Sequence, residues 1–412
     1  MGENRQMTAT SETSALVRRW PLWLMVISAS LIVFFGMGTR NMFGLFLDPI
    51  SDSMSWGREV FSMTLALQNI MWGVTQPFAG AIADRYGAGK VMALGGIFYA
   101  VGILAISFSG VPVAMHLAGG VLIGIAQGFA SMNIGMAVVA RRTPMHRRTL
   151  VMSVVTMGGS AGQMVLSPLA QTFIDGYGWV TALLIMSMMV LIIVPLTIPL
   201  AGRPQATVGS TQTFGAALRE AGRHRGYILL IAGFFVCGFH VTFIGSHLPS
   251  YIRDLGLDPG LGAVALMVIG MFNIFGTLMA GVLGDRYSKK YMLSFLYLAR
   301  SAAILFLLYS PVSETTILIF SGMIGLLWLS TVPLTTGLVG QIFGAQYIGM
   351  LAGIVFFSHQ VGAFLGVWLG GLLFDIYGSY DIVWWLSIAL GVLAALVHFP
   401  IDERPLERKV AA

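Results

Sequence analysis

The stretch Gly80-Ala81-Ile82-Ala83-Asp84-Arg85-Tyr86-Gly87-Ala88-Gly89-Lys90 is a short charged turn between two long apolar runs. It returns as Gly281-Val282-Leu283-Gly284-Asp285-Arg286-Tyr287-Ser288-Lys289-Lys290, with Asp285 standing 201 residues after Asp84. Other features recur at nearly the same interval. Phe34, Phe35 and Gly38 return as Phe234, Phe235 and Gly238, and Phe43 and Pro49 as Phe243 and Pro249, each 200 residues on. Asp175-Gly176-Tyr177-Gly178 returns as Asp375-Ile376-Tyr377-Gly378, again at 200. The chain is one unit written twice.

Hydrophobic residues make up 57% of the 412 residues and charged residues 10%, where soluble domains carry roughly 25% charge. Mean hydropathy is +0.83. Apolar runs of about 20 residues, the length that crosses a bilayer, recur along the chain. These features imply an all-α integral membrane protein, because a soluble reading would need a core larger than one domain supports. The runs read as twelve transmembrane helices: 21–48, 61–82, 91–110, 113–140, 149–172, 179–200, 226–251, 261–283, 291–310, 315–341, 346–373 and 382–400. Two six-helix pseudo-symmetric bundles follow, at 20–200 and 226–400. Residues 1–19 and 401–412 read as tails, and 201–225, with Pro204 and four arginines, as the linker. The first apolar run is too long for a signal-peptide core and reads as a retained span. Cys237 is the single cysteine, so no intramolecular disulfide can form.

The net charge of +6 is explained by where the cations lie. With the N-terminus inside, the inner loops hold Arg85, Lys90, Arg141, Arg142, Arg147, Arg148, the linker arginines, Arg286, Lys289 and Lys290. The outer loops hold only Arg58 and Arg253. That asymmetry predicts cytoplasmic termini, and the charge is not a nucleic-acid signature. Two cations fall within spans, Arg40 and Arg300. A charge in a bilayer costs at least ~2.5 kcal/mol on insertion scales, so each needs a reason.

Glycine, three residues, Asp-Arg, one residue, glycine and a basic residue resembles the loop signature of the major facilitator superfamily. The turn at Gly80 carries it, and the turn at Gly281 carries it with Ser288 in place of the glycine. The resemblance covers nearly the whole chain. It implies two bundles related by an axis along the membrane normal, a central cavity and alternating access. It makes Gly80, Asp84, Arg85, Gly87, Asp285 and Arg286 a conformational latch at the inner face. Arg40-Asn41-Met42-Phe43-Gly44-Leu45-Phe46 and Ser55-Trp56-Gly57-Arg58 resemble the monocarboxylate transporter and oxalate–formate antiporter branch. Span 8 departs from that branch: it offers only Asn273 where animal carriers have an Asp and an Arg, and no acidic-Gly pair precedes span 1. Gly158-Gly159-Ser160-Ala161-Gly162 lacks the proline that drug antiporters carry there.

Arg40 and His240 occupy equivalent positions in the repeat and are expected to face each other across the cavity. A guanidinium fork matches a carboxylate, and histidine titrates near neutral pH. No Asp or Glu lies mid-span, so the cavity is expected to hold an anion. Asn41, Gln127, Asn273 and His359 are further candidate ligands. Asn41 is expected to point about 100° away from Arg40. Arg300, on peripheral span 9, reads as structural, and His247, Arg253 and Asp254 as an outer gate or rim. No metal cluster, nucleotide motif or nucleophile–base pair appears, so the chain reads as neither an enzyme nor a cofactor protein. The expectation is a monomeric secondary transporter of a small organic anion, a monocarboxylate above all, with protons as candidate coupling ions, in a bacterial inner membrane. The alternative is a carrier of a planar vitamin or drug-like compound, stacked on aromatics such as Trp72 and Trp328.

Overall fold

A backbone in hydrocarbon must satisfy its own hydrogen bonds, so long apolar runs become helices. The computed structural model describes residues 20–144, 148–201, 214–344 and 348–406, which are helical almost throughout. The expected N-terminal tail and residues 202–213 of the linker lie outside the described residues. In chain order the principal helices are α1 (Leu22–Asn41), α2 (Arg58–Tyr86), α3 (Ala88–Ile106), α4 (Ile123–Phe129), α5 (Met132–Arg142), α6 (Arg148–Val190) and α7 (Arg225–Asp254). They continue with α8 (Gly260–Gly284), α9 (Lys289–Tyr309), α10 (Glu314–Leu327), α11 (Thr331–Phe343), α12 (Ile348–Tyr377) and α13 (Asp381–His398). A further helix, Phe214–Arg223, lies within the expected linker.

Ten helical stretches among the described residues are long and apolar enough to cross a membrane. α2 is not one of them, although it has 29 residues. Its Gln68 and Asn69 lower its hydropathy, and both are buried against other helices. α6 runs through the expected loop at 173–178, and its axis turns at Gly178, where φ is 77° and ψ 162°. Gly378 has φ +67° at the equivalent point of the second half. Only glycine adopts such angles without strain.

The two halves pack alike. α1 lies on α6 at Gly38, where a Cβ would stand 2.7 Å from the Gly162 backbone. Two hundred residues later α7 lies on α12, with Gly238 against the His359 carbonyl and Gly362 against the Phe235 carbonyl. Lipid is as apolar as leucine, so helix association rests on close backbone approach and dispersion. The halves meet along two equivalent seams. On one, Gly73 of α2 faces Gln360 of α12; on the other, Gly270 of α8 faces Ser160 and Gln163 of α6.

Two helices break at matched points. Between α4 and α5 the chain bends at Ala130 and Ser131, whose hydroxyl accepts from the Asn133 amide at 3.2 Å. Between α10 and α11 the break spans 328–330. There Arg300, 2% exposed, donates to the Leu327 carbonyl at 2.6 Å and to the Trp328 carbonyl. Asn273 Oδ1 accepts from the Leu329 amide at 3.0 Å, and its Nδ2 donates to Ser160 Oγ at 2.9 Å. Arg300 thus serves the backbone. Asn273, expected beside substrate, instead repairs this break and ties the halves together.

Gly38→Ala should lower the unfolding temperature in detergent, because overpacking a tight site costs about 1–3 kcal/mol. Gly353→Ala, with nothing within 4 Å of its Cβ, should leave it unchanged or raise it. Equal melting behaviour in the two variants would show that the close approach carries no stability.

Candidate substrate site

α1 ends at Asn41, followed by Met42 at φ −93°, ψ −4° and a 3-10 turn over Phe43–Phe46. Arg40 and Asn41, the last two residues of α1, both line the central cavity although about 100° apart on the helix, Arg40 turning to Asn69 and Asn41 to Gln163. In this conformation the cavity's free volume is only about 20 Å³, room for little more than one water. Arg40, Asn41, Gln68, Asn69 and Gln163 line it from the first half, and Thr242, Ser246 and Trp328 from the second. No carboxylate is among its lining residues.

The Arg40 guanidinium donates to Asn69 Oδ1 and, at 3.5 Å, to Asn41 Oδ1. It lies 5.1 Å from the centre of the Trp72 ring, and its buried Nε has no partner. Asn41 Nδ2 donates to Gln163 Oε1 at 3.0 Å, and Gln163 Nε2 donates across the seam to the Leu266 carbonyl at 3.1 Å. Gln360 Nε2 donates to the Asn69 carbonyl at 3.2 Å. The shell around the cation is made of amides and an aromatic face. Dipoles orient toward the charge but do not neutralise it, so the site favours an anion.

His240 does not face Arg40. α7 continues unbroken well past that position, whereas α1 ends one residue after Arg40. His240 is 1% exposed, and its Nε2 donates to the Ser387 carbonyl of α13 at 2.8 Å. Thr242 and Ser246 take the cavity face of α7. His359 also lies outside the cavity lining: it stacks on Phe356 with an interplanar angle of 6° and donates through Nδ1 to Gln360 Oε1 at 3.1 Å. Gln127 lines a separate pocket within the first half, with free volume of about 10 Å³. Asn69, Gln68 and Gln163 had the same mid-span polarity as the expected ligands, and only the packing distinguishes them.

The chain's described ends share one face: residues 198–200 pack beside the start of α1, and Ile401 packs against Gly226. At the opposite, far face stands a cluster built across the halves. Arg58 donates twice to Asp254, at 2.5 and 2.8 Å, and once to Tyr380 Oη at 3.1 Å. It pairs with Asp48 at 3.0 Å and stacks 3.9 Å over Phe374. Burial opposes its charge, but the Asp254 bond, with Tyr380 and Asp48, holds its pKa above the ordinary value. Arg253 pairs with Asp52 at 2.8 Å. The Asp375 carboxylate caps α2, accepting from the amides of Arg58 and Glu59 at 3.0 and 2.8 Å, where a helix start favours negative charge. Below them His247 lies 3.0 Å from Tyr380 Oη and 2.9 Å from the Val367 carbonyl. Arg253 and Asp254, expected at an outer gate or rim, both belong to this cluster. Arg58 was read as an outer-loop cation and as the end of the Ser55–Arg58 stretch, and its partners Asp254, Tyr380 and Phe374 lie in the other half.

The bonds joining the halves cluster between the cavity and this far face. At the terminal face, Gly87 has φ 102°, and Arg85 is exposed, 5.3 Å from the Tyr86 ring. A Cβ on Gly80 would meet nothing within 4 Å. Asp285 and Arg286 are exposed and take part in no ion pair among the described residues. The Asp84 side chain lies outside the described residues.

Membrane-length apolar helices in two like halves, packed around one cationic cavity, define a multi-pass membrane carrier and not an enzyme. The family model described as Major Facilitator Superfamily matches residues 29–366 and 274–412, and the chain belongs to that family. It is 28% identical over 369 residues to an uncharacterized MFS-type transporter, YcxA, of Bacillus subtilis (strain 168), covering 87% of this chain and 90% of that protein. It is 26% identical over 404 residues to Monocarboxylate transporter 13 of Bos taurus, covering 92% and 89%. Among solved structures, a D-xylose-proton symporter superposes with a TM-score of 0.74 at 15% identity, over 93% of this chain and 99% of that one. A bacterial homolog of the human lysosomal transporter Spinster superposes at 0.73 and 13%, over 92% and 96%. At these identities the likeness is one of fold.

Arg58→Ala would leave Asp48 and Asp254 without their shared cation, which costs a largely buried network about 3–5 kcal/mol. In a Cys237→Ala background, a Gly245→Cys probe in the cavity should then react faster with an impermeant maleimide added at the far face. An unchanged labelling rate would show that the cluster does not hold that face shut.

Proposed function

We propose that this chain is a secondary carrier that moves a small organic anion, a monocarboxylate, across the membrane by alternating access. The observation that carries the reading is Arg40, whose partners are Asn69, Asn41 and the Trp72 ring, in a cavity lined by no carboxylate. Relatives named as monocarboxylate transporters, at 26% identity and below, support the same substrate class. The ten membrane-length stretches, with α2 added and Val151–Leu200 taken as two passes about Gly178, make twelve crossings, six in each half. The basic residues gathered at the terminal face put that face in the cytoplasm, for a bacterial chain at the inner membrane. The far face is then the outer one, and its ion pairs close it in this conformation. The turns at Asp84-Arg85 and Asp285-Arg286 act as the latch that closes the inner face in the opposite state. Protons are the candidate coupling ion. His240 and His359 stand outside the cavity lining, so a proton on either would act on helix packing and not directly on the anion. A monomer in the bilayer suffices, and no cofactor enters the cycle.

Uptake of labelled short organic acids into proteoliposomes should saturate and should rise with an inward proton gradient. Arg40→Ala should reduce it roughly ten- to a hundredfold, the worth of a hydrogen bond to a charged group, and Arg40→Lys should retain part of it. Uptake of every acid left intact in Arg40→Ala would overturn the anion reading. Trp72 beside the guanidinium and Trp328 in the cavity wall favour a second reading, a planar vitamin or drug-like solute. A ring compound that protects the purified protein from heat better than any short acid would select it.

A further inference from the structure

Beneath the far-face cluster, His247 of α7 is built into the junction of the two halves. It is 1% exposed. Its ring lies on Gly370 of α12, where a Cβ would come within 2.5 Å of it, and the next residue, Gly371, makes room for Ser62 of α2. The ring's polar contacts fix where its hydrogen sits. Nε2 lies 2.9 Å from the Val367 carbonyl, which only accepts, so Nε2 carries a hydrogen. Ser62 Oγ stands 3.4 Å from the same nitrogen. In a neutral ring Nδ1 is then bare, and it accepts from the Tyr380 hydroxyl at 3.0 Å. The Tyr380 oxygen in turn accepts from Arg58 Nη1 at 3.1 Å. Donation runs one way, from the Arg58 guanidinium through Tyr380 and His247 to the Val367 carbonyl.

A proton on Nδ1 breaks that order. The ring becomes a donor at both nitrogens, Tyr380 can no longer donate to it, and two cations converge on one hydroxyl oxygen. The groups around the ring do not offset this. α2 presents Arg58 and Ser62, α12 the Val367 carbonyl, α13 Tyr380, and α7 itself Phe243, with Tyr251 against the Tyr380 ring. The nearby acids are committed elsewhere. Asp48 and Asp254 pair with Arg58, Asp52 pairs with Arg253, Asp375 caps α2, and Glu59 accepts from Trp368 Nε1 at 3.1 Å. None stands within ion-pair distance of His247 among the described residues. A buried charge without a counterion is costly, and parting the halves at this face relieves the cost by admitting water.

We propose that His247 is a proton-binding site of the far gate. The neutral ring belongs to the closed face, and a proton taken up at Nδ1 releases Arg58 from Tyr380 and opens it. The proton thus acts on access to the cavity and not on the anion at Arg40. His240 and His359 cannot do this, because their bonds go to Ser387 and Gln360, away from the cluster. The inference rests on the reading of the far-face ion pairs as a gate given above.

The test uses the Gly245→Cys probe in the Cys237→Ala background and an impermeant maleimide at the far face. Each labelling rate is divided by that of Arg58→Ala at the same pH, so that the pH dependence of the thiol itself cancels. From about pH 7.5 to about pH 5.5, where a solvated imidazole titrates, the ratio for the otherwise unaltered protein should climb roughly tenfold, since one linked proton shifts an equilibrium by up to tenfold per pH unit. His247→Gln can accept from Tyr380 and donate to Val367 but takes no proton, so its ratio should stay low and flat; His247→Asn replaces it if that variant does not fold. A ratio flat with pH in the protein that keeps His247 would overturn the proton site and leave the gate standing. A climb that survives in the amide variant would assign it to the carboxylates of the cluster and overturn the site too. Labelling of Arg58→Ala no faster than that of the parent at any pH would remove the gate and the site with it. None of these outcomes bears on the anion reading of Arg40.

Discussion

A guanidinium held among amides and an aromatic face, with no carboxylate beside it, is the constraint on which the centre of this protein depends. At an effective dielectric of about 20, a unit charge pair at 4 Å is worth about 4 kcal/mol, so an arriving anion gains much that an amide cannot supply. Until then the charge is held by dipoles, and those dipoles are bonded to both halves of the molecule. Arg40 reaches Asn69, whose carbonyl accepts from Gln360; it reaches Asn41, which continues through Gln163 to the Leu266 carbonyl. An anion that draws the guanidinium N–H groups away from these amides acts directly on the two seams between the halves. The binding site and the interface that must rearrange are built from the same hydrogen bonds.

Arg300 shows what a membrane arginine looks like when its work is structural. Its donors go to backbone carbonyls that the break between α10 and α11 leaves without helical partners. Asn273 supplies the missing acceptor for the Leu329 amide on the other side of the same break. Irregular backbone at membrane depth persists only where side chains complete it. The break in turn sets Trp328 in the cavity wall. Tyr99, 201 residues before Arg300, donates instead to the Gly36 carbonyl inside the continuous helix α1.

The duplicated turn, the apolar runs and the paired glycines made the helical architecture legible in the sequence. Gly38 and Gly238, and Gly162 and Gly362, sit at matched close approaches because backbone proximity is a property of the repeat itself. Arg40 was legible because a mid-span cation has few places to go. Its supposed counterpart was not, since repeat equivalence assumes equal helix geometry. α1 ends beside Arg40, whereas α7 runs on as an α-helix; His240 bonds the Ser387 carbonyl of α13, and Thr242 lines the cavity. His359 and Asn273 were misplaced for a related reason: polarity in mid-span says that a side chain needs a partner, not which neighbour provides it. Arg58 was missed because its meaning lies in Asp254, Tyr380 and Phe374, all at least 196 residues away.

The far-face cluster is placed between two extremes of ionic interaction. An ion pair in full solvent contributes about 0–1 kcal/mol, too little to hold a conformation. A fully buried one costs several kcal/mol to break, too much to open on every cycle. Here the Arg58 side chain is 9% exposed, while Asp254 is 30%, Arg253 39% and Asp52 62% exposed. The cation is shielded, and most of its surrounding charges can exchange a protein partner for water. Such a gate can be strong when shut and still pass to water stepwise, the rim pair Arg253–Asp52 first and the Arg58 fork last. A carrier whose states must stay within a few kcal/mol of each other needs a lock of this intermediate kind. Its gradient of burial, from rim to hub, is how the sequence provides one.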